Sequence, residues 1–203
     1  MPYKWWGAMS PPSHLYVASC VLRAPPSYVL AFCMDYMNPE RVELNRKSDL
    51  HRCIVRVHNE HSFTTFNRRW TPRPFLNRDF LMTHTWKRLD SKRVVYTIYD
   101  SSMVYPPKDV GCEFKRGGSC RSKTFGTLLI ESTAPEDAKG EESHHNSKVL
   151  WTVDLNPAGT MPSHLRNVAS HRGLGVLQDM NLFFNEGPLA ADIKRYRLER
   201  REA

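Results

Sequence analysis

The stretch Phe75–Leu89, FLNRDFLMTHTWKRL, is the part of this sequence that decides the fold. From Arg78 onward its residues alternate with the period of two that is typical of a β-strand. One face of this strand carries Phe80, Met82, His84 and Trp86, and the other carries Leu81, Thr83 and Thr85. The polar start, Asn77-Arg78-Asp79, predicts a fixed point in a sheet, with Arg78 pairing locally or with a loop carboxylate to set the register. The alternative role for Arg78 is contact with a bound ligand.

Outward from this strand the chain predicts an antiparallel meander. HRCIVRVHN (51–59) and HSFTTFNRRW (61–70) precede it, and RVVYTIYDSS (93–102) follows after a turn. In the last of these, Tyr96 and Ile98 lie opposite Val95, Thr97 and Tyr99. Further strands are predicted at 125–132 and 148–156, and the second places Val149, Trp151, Val153 and Leu155 on one face.

Helical patterns flank this meander. A strand at 14–22 is followed by Pro25-Pro26 and then by a helix over 27–38, for which Ser27 is the predicted N-cap. A short basic helix or turn follows at 40–50. The last large element, 162–185, reads as one long helix that begins at Pro162. Its two internal glycines cost about 1 kcal/mol each relative to alanine, which indicates close packing against a sheet or a soft point.

Two segments and the tail read as irregular. Residues 103–123 form a long Gly-, Pro- and Cys-containing loop, which predicts a functional or mobile element. Residues 134–147 are charged and poor in apolar side chains, which predicts a disordered loop. Residues 188–203 predict a charged C-terminal tail.

The composition limits the classes of protein to consider. The 203 residues suit one domain, and a formal net charge of +8 favours anionic partners, either lipid headgroups or nucleic acid. Five widely spaced cysteines without a secretory leader predict free thiols in a reducing, cytoplasmic compartment. No run of about 18 uncharged apolar residues is present, so we expect a protein that is soluble or peripheral to membranes.

The order of strand, helix, meander and final helix predicts an α+β helix-grip, a curved antiparallel sheet wrapped around a long C-terminal helix. That order resembles the START family of lipid-transfer domains, within the Bet v 1-like superfamily. The likeness is carried by WWGAMSPPSHLYVASCVLRAPPSYVLAFCMD (5–35), PFLNRDFLMTHTWKRL (74–89), SKVLWTVDLNPAGTMPSHLRN (147–167) and GVLQDMNLFF (175–184). It defines a predicted domain at 5–187. The first helix and strand of the family have no counterpart here, so the chain is either truncated or has a shortened grip.

The resemblance implies an internal hydrophobic cavity between the sheet and the final helix, holding one lipid or sterol-like molecule. It also implies that loops and the final helix move to admit this ligand at an anionic membrane surface, and the chain is expected to act as a monomer. The candidate ligand contacts are Arg68, Arg78, His84, Trp86, Tyr96, Val176, Met180 and Phe183. For each of them an ordinary core or surface role is the alternative. Strand alternation sends only one of Arg68 and Arg69 inward. Trp5 and Trp6 are read either as membrane-interface anchors or as packing on the sheet edge.

Enzyme signatures are absent from the sequence. It contains no Gly-x-Ser-x-Gly elbow, no His-Glu-x-x-His helix and no phosphate-binding glycine loop, so no catalytic residue, cofactor or metal is predicted. A Bet v 1-like cyclase or hydrolase, with His84 as its acid or base, is one alternative. Charge-driven binding of nucleic acid or an acidic protein is another, but aromatic residues do not alternate with the cations as single-strand binding requires.

Overall fold

The computed structural model describes residues 4–7, 15–102, 118–133, 146–156 and 175–186, with only the backbone described at 4–7, Glu40 and Leu44. Nine strands within these ranges form one open sheet. They are β1 (Lys4–Gly7), β2 (Leu15–Leu22), β3 (Asp49–Asn59), β4 (Ser62–Arg69), β5 (Asn77–Arg88), β6 (Arg93–Asp100), β7 (Ser119–Arg121), β8 (Lys123–Ser132) and β9 (Ser147–Asn156).

The strands lie in the order β1-β2-β9-β8-β6-β5-β4-β3, and neighbours along this path are antiparallel. Strand β7 is off the path and pairs in parallel with the start of β5. The predicted meander is therefore confirmed. The prediction of a loop over 103–123 is wrong at Ser119–Arg121, which form β7, while residues 103–117 lie outside the described part of the chain.

Three α-helices accompany the sheet in the described ranges: α1 (Pro26–Met34), α2 (Pro39–Asn45) and α3 (Gly175–Asn181). The predicted N-cap at Ser27 is wrong, because the extended Pro25 takes that position and prolines favour the first turn. Helix α3 continues as a π-helical turn, Leu182–Glu186. We call residues 175–186 the terminal helical segment. Residues 175–185 of the long helix predicted at 162–185 fall within this segment, while 162–174 lie outside the described part of the chain, so the long helix stays a prediction.

The main core lies on one face of the sheet, which we call the inner face, under α1 and the terminal helical segment. Its fully buried side chains include Leu22, Val29, Leu128, Ile130, Val149, Val153, Leu177, Met180 and Phe184. The ring of Phe32 on α1 lies 4.8 Å from that of Phe183 and 5.5 Å from that of Phe184. Gly126 is required here, because a Cβ at this position would come within 2.5 Å of the Trp151 ring.

The terminal helical segment is also tied to the sheet by hydrogen bonds. The Asn185 side-chain amide donates to the Val21 carbonyl at 3.0 Å and accepts from the Arg23 backbone N–H at 2.9 Å. The end of β2 and the last turn of the segment are thereby joined through one side chain.

A smaller cluster lies on the opposite, outer face and consists of Val55, Phe66 and Leu81, with Cys53 packed against it. Cys53 is disulfide-bonded, so the prediction of free thiols is wrong at this position. Cys20, Cys33 and Cys120 are free, and burial raises the pKa of Cys33 to about 12. Within the described ranges, no helix combines the length and apolar character needed to span a bilayer.

Candidate functional site

The Asn77-Arg78-Asp79 motif lies where three strands meet, with Asp79 joining the strands and Arg78 paired locally with Leu76, one of the two pairings that the sequence predicted. Asp79 accepts two hydrogen bonds from Arg68 of β4, at 2.7 and 2.9 Å, and one from the Ser119 hydroxyl of β7 at 2.7 Å. Its carboxylate is therefore paired with Arg68 rather than with Arg78. This bidentate contact joins β4, β5 and β7 on the outer face.

Arg78 lies on the other face of β5, opposite Arg69 in the register. It is buried, and its Nη1 donates to the Leu76 carbonyl. Strand alternation thus sends Arg78 and Arg69 inward and Arg68 outward.

On the inner face, His84 is held by groups from neighbouring elements. Its Nε2 lies 2.8 Å from the Thr65 hydroxyl and its Nδ1 lies 2.5 Å from the Tyr96 hydroxyl. The Phe63 ring is stacked on the imidazole at 4.6 Å. Burial, reinforced by the charges of Arg41 and Arg52, lowers the pKa of His84 to about 3, so the imidazole is neutral at physiological pH.

Two arginines, Arg41 of α2 and Arg52 of β3, lie on this face around the Tyr36 ring, and we call them the inner arginine pair. Their guanidinium carbons are 6.0 and 3.8 Å from the centre of that ring. Arg41 Nη1 donates to the Phe32 carbonyl at 2.5 Å, near the end of α1. Arg52 Nε donates to the Tyr36 carbonyl at 2.9 Å. The guanidinium groups thus cap backbone carbonyls while part of each remains uncommitted.

A polar network connects this pair to the terminal helical segment. Asp49 accepts hydrogen bonds from Arg52 at 3.3 Å, from Asn67 at 2.9 Å and from Arg69 at 3.2 Å. Asn45 of α2 donates to Asp179 of α3 at 3.1 Å. Burial raises the pKa of the Asp179 carboxyl, while Asn45 and three arginines oppose that shift. Strands, α2 and α3 thus meet at one polar region beside an apolar core.

The structure brings most of the predicted contact residues to the inner face. Tyr96 and Met180 belong to its core, and Trp86, Val176 and Phe183 are partly buried against it. His84 bonds to Tyr96 in the same region. Only Arg68, on the outer face, is separated from the rest. Whether these side chains contact a ligand stays a prediction.

Sequence reasoning missed the inner arginine pair and the arrangement of its buried donors around Tyr36. It also predicted an internal cavity, which stays a prediction. A pocket of the described residues is instead an open groove between the β3–β4 turn and strands β5 and β6, beside His61, Trp86 and Val95. Among the described residues, no cluster of metal-ligating side chains is found.

The chain resembles known proteins in structure rather than in sequence. No family model matches it, and no curated protein matches its sequence. The lipid transfer and protein localization domain of human StarD13 superposes with a TM-score of 0.62 at 16% identity, over 92% of this chain and 90% of that one. Human STARD10 gives 0.63 at 14% identity, over 98% and 78%. A STAR-related lipid transfer protein fragment from Xanthomonas axonopodis gives 0.64 at 13% identity, over 91% and 99%.

The chain has a START-like fold. At these identities the likeness establishes the architecture alone, and it confirms the resemblance inferred from the sequence motifs. In this fold the core, the histidine and the arginine pair all lie on the inner face of the sheet, on the same side as the terminal helical segment.

Proposed function

We propose that this chain binds one lipid or sterol-sized hydrophobic molecule between the inner face and the final helix, and carries or senses it at anionic membranes. The observation that carries the proposal is the START-like fold, shared with solved proteins that are named for lipid transfer. The binding domain is residues 5–187, with 188–203 as a tail. Gating by the 103–123 region and the final helix completes the mechanism, which requires no covalent chemistry.

The inner face has the composition that such binding needs. Removing lipid tails from water contributes about 25 cal/mol per Å2 of apolar surface, so apolar walls suffice for affinity. Leu177, Met180 and Phe184 of the terminal helical segment face the core of the sheet. A few polar groups then fix the orientation of the ligand, and His84, Tyr96 and the inner arginine pair lie beside these apolar walls.

Contact with a membrane is supported by charge and by one corner of the sheet. The net charge of +8 attracts anionic lipid, at about 1 kcal/mol for each cation near the surface. Trp70 and Leu76, on either side of the β4–β5 connection, are exposed. Lys47 and Arg73 are exposed as well, and the Trp70 backbone is bonded to Ser48 next to Lys47. Indole rings favour the membrane–water boundary.

The two alternatives receive less support. A cyclase or hydrolase that used His84 would need it to exchange protons near neutral pH, but its pKa is lowered to about 3 and both ring nitrogens contact protein hydroxyls. Charge-driven binding of nucleic acid or an acidic protein rests on the basic tail, which lies outside the described residues.

Native mass spectrometry of the purified recombinant chain tests the proposal. We expect one lipid per chain that persists at high salt, because burial of tails is insensitive to screening. Uptake from mixed-lipid vesicles should be saturable at one molecule. A chain that takes up no lipid, but binds DNA or RNA with an affinity that falls steeply with salt, would instead establish the charge-driven alternative.

A further inference from the structure

The polar region of the inner face that joins the arginines to α3 holds three arginines and two carboxylates. The arginines are Arg41, Arg52 and Arg69, from α2, β3 and β4, and the carboxylates are those of Asp49 and Asp179. Asp49 is shared by Arg52 and Arg69. Arg41 is buried, yet in the described part of the chain it has only backbone carbonyls as hydrogen-bond acceptors and no carboxylate partner.

Several buried donors around Tyr36 are unused. Arg41 Nε, Arg52 Nη2 and the Tyr36 hydroxyl are buried and have no hydrogen-bond partner among the described residues. Nearby, Asn67 Oδ1 is a single acceptor without a partner, opposite Arg52 in the register. Buried polar groups in folded proteins are almost always paired, so such a concentration of unpaired donors calls for an explanation. An acceptor that arrives with a ligand provides one.

The three donors lie at one place, the ring of Tyr36: one is its own hydroxyl, and the other two belong to the arginines beside it. The Arg52 guanidinium lies over Tyr36 with its carbon 3.8 Å from the ring centre, and that of Arg41 is 6.0 Å away. The same ring is 5.4 Å from His84. The electrostatic effect of the pair is felt there, because both arginines help to lower the pKa of His84.

We infer that the hydrophobic molecule bound on the inner face carries an anionic oxygen group, a phosphate or a carboxylate, which accepts hydrogen bonds from Arg41, Arg52 and Tyr36. This inference rests on the proposed function and names the class of ligand. Guanidinium groups suit oxyanions because they present several donors in a fixed planar arrangement. The hydrogen bonds that already hold the two guanidinium groups use Nη1 of Arg41 and both Nε and Nη1 of Arg52. Arg41 Nε and Arg52 Nη2 are left for the ligand. The pair is therefore oriented before the ligand arrives.

Because these donors are buried beside α3, we expect the terminal helical segment to move when a ligand enters. The donor atoms are shielded from solvent, and the Asn45–Asp179 hydrogen bond ties α3 to α2 beside them. Entry of a ligand therefore breaks that hydrogen bond and separates Asp179 from the arginines. The incoming anion takes the place of the Asp179 carboxylate in their field.

Matched lipids provide the test. Phosphatidic acid and diacylglycerol with the same acyl chains form one pair, and oleic acid and oleyl alcohol form the other. Both members of a pair are placed in equal amounts in the same phosphatidylcholine vesicles, so that both experience the same surface charge. After incubation the full chain is re-isolated and its bound lipid is quantified by mass spectrometry. We expect the anionic member to be favoured by about tenfold, the effect of a few charge-assisted hydrogen bonds.

Variants of two of the three residues, Tyr36 and Arg52, then assign the effect to this site. Tyr36→Phe removes a buried hydroxyl without a partner, so the variant should fold with equal or higher stability, yet lose several-fold of the preference. Arg52→Gln should lose most of it, and Arg52→Lys should keep part of it because the charge remains without the planar donors. Thr124→Val is the matched control: it also removes a buried, unpartnered hydroxyl, but on β8, three strands away from β4. Its preference should equal that of the wild type.

The outcomes separate the two proposals. Equal uptake of both members of each pair by the wild type would overturn the anionic-group inference and leave lipid binding intact. Uptake of neither member would overturn both. A full preference retained by Tyr36→Phe and Arg52→Gln would place the anion elsewhere and reject this site. If Arg52→Gln does not fold, Tyr36→Phe decides.

Discussion

Two arginine sites lie on opposite faces of the same sheet, and they differ in how completely their hydrogen bonds are used. On the outer face, Arg68 makes a bidentate contact with Asp79, and Ser119 bonds to the same carboxylate. On the inner face, Arg41 and Arg52 have donors without partners. A site whose acceptors match its donors stabilises the fold. A site with unused donors is prepared for something that the chain itself does not supply.

The largest expected effect comes from breaking the outer site. Asp79→Ala leaves the Arg68 guanidinium, which is 14% exposed, without its carboxylate, and should lower the free energy of unfolding by about 3 kcal/mol. Urea denaturation measures the change. Asp90→Ala serves as the control, because it removes the carboxylate partner of Arg93 in an exposed ion pair. It should have a far smaller effect on the free energy of unfolding. Equal losses in the two variants would show that the outer site is not structural.

The inner site predicts a dependence on pH. The pKa of His84 is lowered to about 3 in the folded chain and is about 6.5 when unfolded, so below pH 6.5 only the unfolded chain gains the proton. Stability should therefore fall by about 1.4 kcal/mol per pH unit below 6.5. Asp179, whose pKa is raised, acts in the opposite direction. Hence the pH dependence of the free energy of unfolding is compared between the wild type and His84→Gln.

Unfolding free energies at pH 7 and pH 5 give that difference. The wild type should lose about 2 kcal/mol more than His84→Gln over this interval, because the variant has no imidazole to protonate and shares all other titrating groups. The same loss in both proteins would contradict a neutral, buried imidazole at this position.

A third change sharpens the electrostatic contrast between the two faces. Asp179→Asn keeps an oxygen that can accept from Asn45 but removes a carboxylate beside the inner arginines. Stability should change little. Uptake of phosphatidic acid in the paired-lipid assay should rise about fivefold, with uptake of diacylglycerol unchanged. An equal rise in the uptake of both lipids would indicate that α3 is held less tightly to α2, rather than that the positive potential of the inner arginines has increased.

The smallest effect on stability is expected at the exposed corner. Trp70 is 46% exposed, so Trp70→Ala should change the free energy of unfolding by less than about 0.5 kcal/mol. Its binding to anionic vesicles, measured by co-sedimentation, should fall several-fold. The control is Tyr28→Ala, which removes an exposed aromatic side chain from α1, away from this corner. If both variants bind vesicles as the wild type does, the membrane contact lies elsewhere.

Most of the sheet could be predicted from the sequence because alternation is a local property. The expected faces of β5 and β9 agree with their burial, with His84 and Trp151 inward and Leu81 outward. Strands β1 and β7 could not be predicted, because segments of four and three residues are too short to show a period. Their pairing is decided by tertiary contacts.

The candidate site was less accessible to sequence reasoning. Tyr36 has helical spacing in the sequence but lies beyond the end of α1, and Arg41 reads as part of a basic surface helix. Arg52 stands among alternating residues that do not reveal which face is buried. Likewise the partner of Asp79 proved to be 11 residues away on another strand. Long-range register, which the sequence does not contain, decides each of these contacts.

The side chain of Asn185 has a mechanical consequence. Its primary amide donates to one β2 carbonyl and accepts from the backbone N–H two residues later, and neither a carboxylate nor an apolar side chain can do both. Nearer the start of the segment, the Asn45–Asp179 hydrogen bond ties α3 to α2. Rotation of the terminal helical segment about Asn185 therefore breaks fewer hydrogen bonds than displacement of the whole segment. Such a rotation separates α3 from α2 on the side of the inner arginine pair.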